Sequence, residues 1–304
     1  MNRPRLEVER AVSFIQAHLG DPFAVAQVAQ AAGMSEFHLH REFHQAIGES
    51  VGRFVTRKRL ETAALRLACE PSTTVTTIAL EVGYSSSANF AKAFKIHFGI
   101  SPKEVRAPSG QVPGGISRLL QQYEHAFIPA QLFSVPFTDE QGRRREAEHW
   151  QQCLRFERSN GFHFTCLASP NGYEPEALAE TWDQLVDRCR QLDICDAEVD
   201  AWGIAHDSPD LTAPSFRRYH ACVLGRTARV LPPPLFAKTV LAGRFAVFLY
   251  QGAVDGVAAA YRSIYSCWFP ESSLVPGDYL AMDHYVTDAP RDGQIEMEMW
   301  FRVE

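Results

Sequence analysis

The stretch Val75 to Arg106, VTTIALEVGYSSSANFAKAFKIHFGISPKEVR, constrains this chain more than any other. Apolar residues Ile78, Ala79, Val82, Phe90, Ala93, Phe94 and Phe98 recur at helical spacing on either side of Gly83. That pattern predicts two short helices joined by a glycine turn, each with one buried face, and a stop at Gly99 before Pro102. The second helix leaves Ser87, Ala88, Asn89, Lys92 and Lys95 on its outer side. Short polar and basic side chains beside a buried spine are what a helix needs to enter a major groove. DNA binding is therefore the first function the residues point to.

The same plan occurs upstream in FAVAQVAQAAGMSEFHLHREFHQAIGES. Val25, Val28 and Ala29 would anchor a first helix, Gly33 sits at the turn, and Ser35 suits an N-cap. Leu39, Phe43 and Ile47 form the spine of a second helix closed by Gly48, with Phe37, His38, His40, Arg41 and His44 on or near its exposed side. Between the copies, SVGRFVTRKRLETAALRLACE predicts a rod of roughly 30 Å, close to the roughly 34 Å of one DNA turn. One monomer is thus expected to read two successive major-groove segments. Arg57, Lys58 and Arg59 on the rod are expected at phosphates, contacts that set affinity and not sequence choice.

A net charge of -6 argues against nucleic acid until the chain is divided. Residues 1–107 hold 13 Lys/Arg against 10 Asp/Glu, and residues 108–304 hold 17 against 26. A basic reader joined to an acidic domain with another task fits that asymmetry. No apolar run approaches membrane-spanning length, and MNRPRLEVERAVSF lacks a secretory h-region. Seven cysteines without a CxxC pair read as reduced thiols of a cytoplasmic protein. His40 and His44 are four apart without a third ligand, so neither a metal nor a cofactor is expected.

With these residues in hand, the first 107 resemble the DNA-binding domain of AraC/XylS-type transcription regulators. IALEVGYSSSANFAKAFKIHFGISPKEVR follows that family's signature throughout, although ESVGRF after Gly48 replaces its common Ser-Pro step. The resemblance implies base-facing roles for Phe37, His40 and Arg41 in the first copy and for Ser87, Ala88, Asn89 and Lys92 in the second. It also implies double-stranded promoter DNA and RNA polymerase as partners, with no membrane involved.

APSGQVPGG at 107–115 reads as a linker. A short amphipathic run at 116–127 suits a helix, and the Arg143-Arg144-Arg145 run reads as a solvated loop. Residues 108–150 are thus expected to be a partly irregular linker. From Gln151 the pattern is strand, helix, strand, strand, and then the same again. The expected fold is multidomain: an all-α bipartite helix-turn-helix domain in 1–107, then an α+β duplicated β-α-β-β domain in 151–304. Such a duplication is expected to build two pseudo-symmetric sheets with helices behind and a cleft between. This half resembles the GyrI-like effector-binding domain in AGRFAVFLYQG, RRYHACV, Trp268-Phe269-Pro270-Glu271-Ser272 and EMEMWFRV. The two resemblances together give a regulator of Rob-like layout that answers to a small-molecule effector.

Strand alternation sorts the candidate ligand residues. Met297, Met299 and Phe301 form one row, expected on the helices, and Glu296, Glu298 and Trp300 the other. Ala281, Asp283 and Tyr285 share a face opposite Leu280 and Met282. The family commonly has Phe-Glu-x-Tyr here, where this chain has Met282-Asp283-His284-Tyr285, with a shorter carboxylate. The expected ligand site combines Asp283, Tyr285, Glu298 and Trp300, with Trp202, Tyr173 and Trp268 as further aromatic candidates. A carboxylate among aromatic faces attracts organic cations, so the expected effector is small and apolar, with room for a positive charge. Two other readings stay open: a second domain that acts through protein contacts, or a hydrolase using Asp283 or Glu298 with Tyr285 to activate water. No Ser-His-Asp arrangement or phosphate loop is evident, and the leading reading is not an enzyme.

Overall fold

Seven helices open the chain: α1 (Leu6–Ala17), α2 (Val25–Ala32), α3 (Glu36–Ile47), α4 (Val51–Cys69), α5 (Val75–Glu81), α6 (Ser87–Phe98) and α7 (Pro102–Val105). The computed structural model describes residues 6–105, 140–208, 211–226, 231–286 and 293–303. The linker expected at 107–115 and the helical run at 116–127 lie outside the described residues.

The repeat is built from repeated local chemistry. Ser35 Oγ accepts from the His38 amide at 3.3 Å at the start of α3, and Ser86 Oγ accepts from the Asn89 amide at 3.2 Å at the start of α6. Each cap satisfies a donor that the first helical turn leaves orphaned. Gly83, at the turn before α6, has φ 89°, a left-handed conformation that strains any residue with a Cβ, and a Cβ there would also displace the Arg59 guanidinium, 2.6 Å away. Phe90, Phe94 and Phe98 are buried along one face of α6, as Leu39, Phe43 and Ile47 are along α3.

The rod α4 serves two cores. Val51 and Phe54 at its start complete the core of α1 to α3, whereas Leu60 to Cys69 pack with α5 and α6. That second core does not end at the reader. It runs on into Tyr265, Trp268, Phe269, Met299 and Phe301 of the second domain, and Cys69 Sγ donates to the Tyr265 carbonyl at 3.4 Å. One apolar cluster thus spans the second half of the reader and the second domain, while the α1 to α3 core stays separate.

The second domain holds α8 (Glu140–Gln152), α9 (Pro175–Gln191), α10 (Val257–Ser263) and strands β1 (Leu154–Ser159), β2 (Phe162–Ala168), β3 (Ala201–Ala205), β4 (Tyr219–Leu224), β5 (Phe236–Val240), β6 (Gly243–Ala253), β7 (Pro276–Tyr285) and β8 (Gln294–Val303). After α10 the chain continues through a π-helical turn, Ile264–Trp268. The Arg143–Arg145 run, expected as a loop, lies within α8. Arg144 pairs with Glu140 one turn earlier at 2.6 Å, and Trp150 anchors the helix by donating to Ser263 Oγ at 2.8 Å and packing on Phe248.

A single eight-stranded antiparallel sheet replaces the two sheets expected, in the order β1-β6-β8-β7-β3-β4-β2-β5. β3 pairs with β7 and so joins the two halves across a central seam. Each segment expected as the opening strand of a repeat is in fact two strands that part company at a corner. β1 pairs with β6 of the second half, and β5 pairs with β2 of the first. The corner at Gly161, with φ 106°, passes the corner at 241–242 so closely that a Cβ there would lie 2.9 Å from the Val240 carbonyl oxygen. Met297, Met299 and Phe301 pack toward the helical layer, as the alternation predicts.

Candidate effector site and reading surface

Strand alternation placed the expected ligand residues on a common site, but the register divides them. Asp283 pairs with Gly203 and Met299, and Tyr285 with Ala201 and Met297, which sets both on the helical side of the sheet. Glu298, Trp300 and Trp202 lie on the opposite side.

On the helical side the site forms around Asp283, at the seam between β3 and β7. Tyr261 of α10 donates to Asp283 Oδ1. Tyr285 and Tyr219 join hydroxyls at 2.8 Å, and Trp182 of α9 meets the Tyr285 ring edge-on at 5.4 Å. Gly203 matters here because the Tyr219 hydroxyl occupies the space that a Cβ would need. Asp283 is buried, whereas Trp182, Tyr261 and Tyr285 are only half-buried and form its rim. Burial pushes the Asp283 carboxyl up to about 7, against a small opposing pull from the Tyr261 hydroxyl. A carboxyl of that kind can be displaced from its proton by a cation framed in aromatic rings.

The opposite side is already satisfied. Glu298 accepts from Arg155 at 2.8 Å, from His284 at 3.1 Å and from Trp300 Nε1 at 3.1 Å. His284 also reaches Asp200 at 3.1 Å and stacks on Trp202 with centroids 4.4 Å apart. Trp202 and Trp300 are buried with Phe162, Phe164 and Phe245 in an aromatic cluster. Glu298, Trp300 and Trp202 thus lie on the face away from Asp283 and Tyr285, packed and paired there. Trp268 lies in the interior shared by the two domains and donates to Gln151 at 3.0 Å. Tyr173 belongs near the site: its ring meets that of Tyr219 at 5.9 Å, and its hydroxyl donates to the Asp207 carbonyl. Sequence reasoning missed Tyr261, Tyr219 and Trp182, which come from three elements remote in sequence.

The rod's basic residues take a different place from the one expected. Arg57 is 6 % exposed, and its guanidinium bonds Glu49 at 2.6 Å, Glu61 at 2.9 Å and Asp207 at 3.2 Å. Lys58 bonds Glu61 and Asp207, each at 3.2 Å, and the His206 carbonyl at 3.0 Å. Arg59 donates to the carbonyls of Leu19, Gly83 and Asp21, which ties both reading units to the rod. Arg57 and Lys58 are thus taken up in ion pairs away from solvent, while Arg59 is half-buried. Their partners lie mostly in loops and in the other domain, where helical spacing could not reveal them. Burial pushes Asp207 up, but Arg218, Lys58 and Arg57 together hold it well below the usual carboxylate range.

The reading helices do present the expected residues outward. Phe37 is 79 % exposed, and His40, Arg41, Ala88, Asn89 and Lys92 are exposed, while His38 and Ser87 are half-buried. Arg41 is steadied by Glu42 at 3.0 Å and His38 Nδ1 at 3.2 Å. No helix among the described residues is long and apolar enough to cross a membrane.

With this geometry in view, a helix-turn-helix domain family matches residues 28–108, and a GyrI-like small molecule binding domain family matches residues 147–304. An uncharacterized HTH-type transcriptional regulator of Haemophilus influenzae is 45% identical over 82 residues, 27% of this chain and 27% of that protein. The transcriptional regulator Rob of Salmonella typhimurium is 34% identical over 98 residues, 32% of this chain and 33% of that protein. The chain therefore covers about a quarter to a third of the length of these relatives. A solved transcriptional regulator with an AraC-type DNA-binding domain, from Chromobacterium violaceum, is 30% identical with a TM-score of 0.32, covering 35% of this chain and 94% of that one.

Proposed function

The chain belongs to the GyrI-like small molecule binding domain family and carries a helix-turn-helix domain ahead of it, and from that premise we propose a transcription regulator whose reader answers to a small effector held at Asp283. The reader, residues 1–107, inserts α3 and α6 into successive major-groove segments of promoter DNA, with Arg41 and Lys92 as its principal base and phosphate contacts. The effector domain, residues 151–304, takes a small aromatic cation whose charge meets the Asp283 carboxylate between Tyr261, Tyr285 and Trp182. DNA-bound, the protein acts on transcription through RNA polymerase in the cytoplasm.

The observation that carries this reading is the contact route to the rod from Tyr285, which shares its strand face with Asp283. Tyr285 bonds Tyr219, Tyr219 packs on Tyr173, Tyr173 bonds the Asp207 backbone, and the Asp207 carboxylate holds Arg57 and Lys58 of α4. A ligand shifts DNA affinity only by binding two arrangements of the protein unequally. Tyr285 and Tyr219 are hydrogen-bonded neighbours of the ligand position and move with its occupancy, and α4 sets the spacing of the two reading helices.

The test is a gel-shift titration of the full chain on a duplex selected from a random pool, with and without benzyltrimethylammonium. Expected are one-to-one binding that weakens with salt and an affinity that changes when the cation is added. Asp283→Asn abolishes the change while leaving DNA binding itself intact. A cation effect that survives Asp283→Asn would sink the assignment of the site.

A further inference from the structure

Helix α1 of the reader lies against β5, the edge strand of the sheet, and the two enclose a groove of about 330 Å³. Glu9, Arg10 and Ser13 form one wall, and Phe236, Lys238 and Thr239 the other. Nothing in the Asp283 site reaches it.

Glu9 is the anomaly in this groove. Its side chain is 8 % exposed, yet neither carboxylate oxygen has a hydrogen-bond partner. The nearest ring nitrogen, His220 Nε2, stands 3.6 Å from Oε1, an ion-pair distance too long for a hydrogen bond. Burial pulls the His220 imidazole below its ordinary value, while the facing Glu9 carboxylate pulls it back up. Burial also pushes Glu9 up, but the fields of His220, Lys238 and Arg218 outweigh it and bring the carboxyl down to about 2. Glu9 is thus an ionised, buried acceptor with an ion-pair partner and no hydrogen-bond donor, which a folded protein carries at a cost of free energy.

The mouth of the groove has the opposite character. Arg10 is exposed and Lys238 half-buried, with the Ser13 and Thr239 hydroxyls beside them. A simple cation that approaches Glu9 is repelled by Arg10 and Lys238, and a simple anion is repelled by Glu9. A molecule with both charges satisfies both ends. We propose that this groove binds a small amino-carboxylate, its ammonium on Glu9 and its carboxylate between Arg10 and Lys238. Because one wall is the reader and the other the effector domain, the zwitterion bridges the two domains.

Calorimetry on the full chain with glycine, 4-aminobutyrate and 6-aminohexanoate tests this, with butylamine and butyrate as the two halves of the molecule. At least one amino-carboxylate binds, and each half binds at least about tenfold more weakly. Glu9→Gln, which removes a buried charge and keeps the shape, weakens the amino-carboxylate at least about tenfold. The pair Arg10→Met and Lys238→Met at the mouth does the same while leaving the Glu9 side chain in place, and decides the matter if the Glu9 variant does not fold. Butylamine binding as tightly as the amino-carboxylate, no amino-carboxylate binding at all, or unchanged binding in the Arg10 and Lys238 double variant overturns the proposal.

Discussion

Asp207 and Asp283 are buried carboxylates of the same domain, yet the structure holds them in opposite states. Asp207 is ringed by Arg57, Lys58 and Arg218, all within 3.2 Å of its oxygens, and stays ionised. Asp283 has one hydroxyl donor, Tyr261, among aromatic rings, and burial carries its pKa to about 7. Burial alone therefore does not set the charge of a carboxyl; the partners that burial brings along do. The difference separates a fastening from a receptor. A carboxylate whose lone pairs are filled by cations locks two domains together, whereas one that is short of donors is ready for a ligand.

The largest effect that would break this contrast is on stability. Asp207→Ala strands three buried cations and is expected to cost about 3–5 kcal/mol in urea unfolding. Measured at acid pH, where the Asp283 carboxyl is neutral, Asp283→Asn keeps a hydrogen-bonding group of the same size and is expected within about 1 kcal/mol of the parent. Equal losses in the two variants would erase the distinction.

Next in size is a pH dependence that only Asp283 supplies. The unfolded chain releases this proton near 3.8 and the folded chain near 7. Between those values the folded state binds more protons than the unfolded state, so stability falls as pH rises through the window and levels off above it. The drop is up to about 4 kcal/mol. Urea melts of the parent and of Asp283→Asn from acid to neutral pH isolate it by difference, and parallel curves would refute it. The affinity for benzyltrimethylammonium should rise over the same window, about tenfold per pH unit at most.

Smaller again are the effects at the reader, which extend the contrast to the basic residues. Arg41→Ala and Lys92→Ala are each expected to cost about 1–3 kcal/mol of DNA binding. Lys92→Ala should also flatten the salt dependence by about one unit of slope. Arg57→Met, although it removes a positive charge from the same domain, should leave that slope unchanged at temperatures where the variant is folded. A flatter slope for Arg57→Met would return the rod to the DNA.

The reader was largely legible in the sequence because its determinants are local. Ser35 and Ser86 cap helices three residues away, and the Phe90, Phe94 and Phe98 row recurs every turn. Arg57 and Lys58 were misread for the same reason. A basic pair on a helix looks solvated unless Asp207, about 150 residues on, is known to face it. In the second domain, alternation separated Asp283 from Met282 and Glu298 from Met299, but it carries no information about register between strands. Only the β7–β8 ladder, with Asp283 opposite Met299, shows that Asp283 and Glu298 occupy different faces. Tyr261, Tyr219 and Trp182 had no mark in sequence beyond being aromatic.

The corners at Gly161 and 241–242 have a further consequence. Since β1 completes the second half and β5 completes the first, neither repeat owns its full complement of strands. A chain holding a single repeat would present a naked sheet edge, and would satisfy it only by trading leading strands with a second copy. In this protein the trade takes place inside one molecule, so an association that would otherwise depend on concentration is fixed by covalent connection. The seam between β3 and β7 is then, in its architecture, a dimer interface that cannot dissociate.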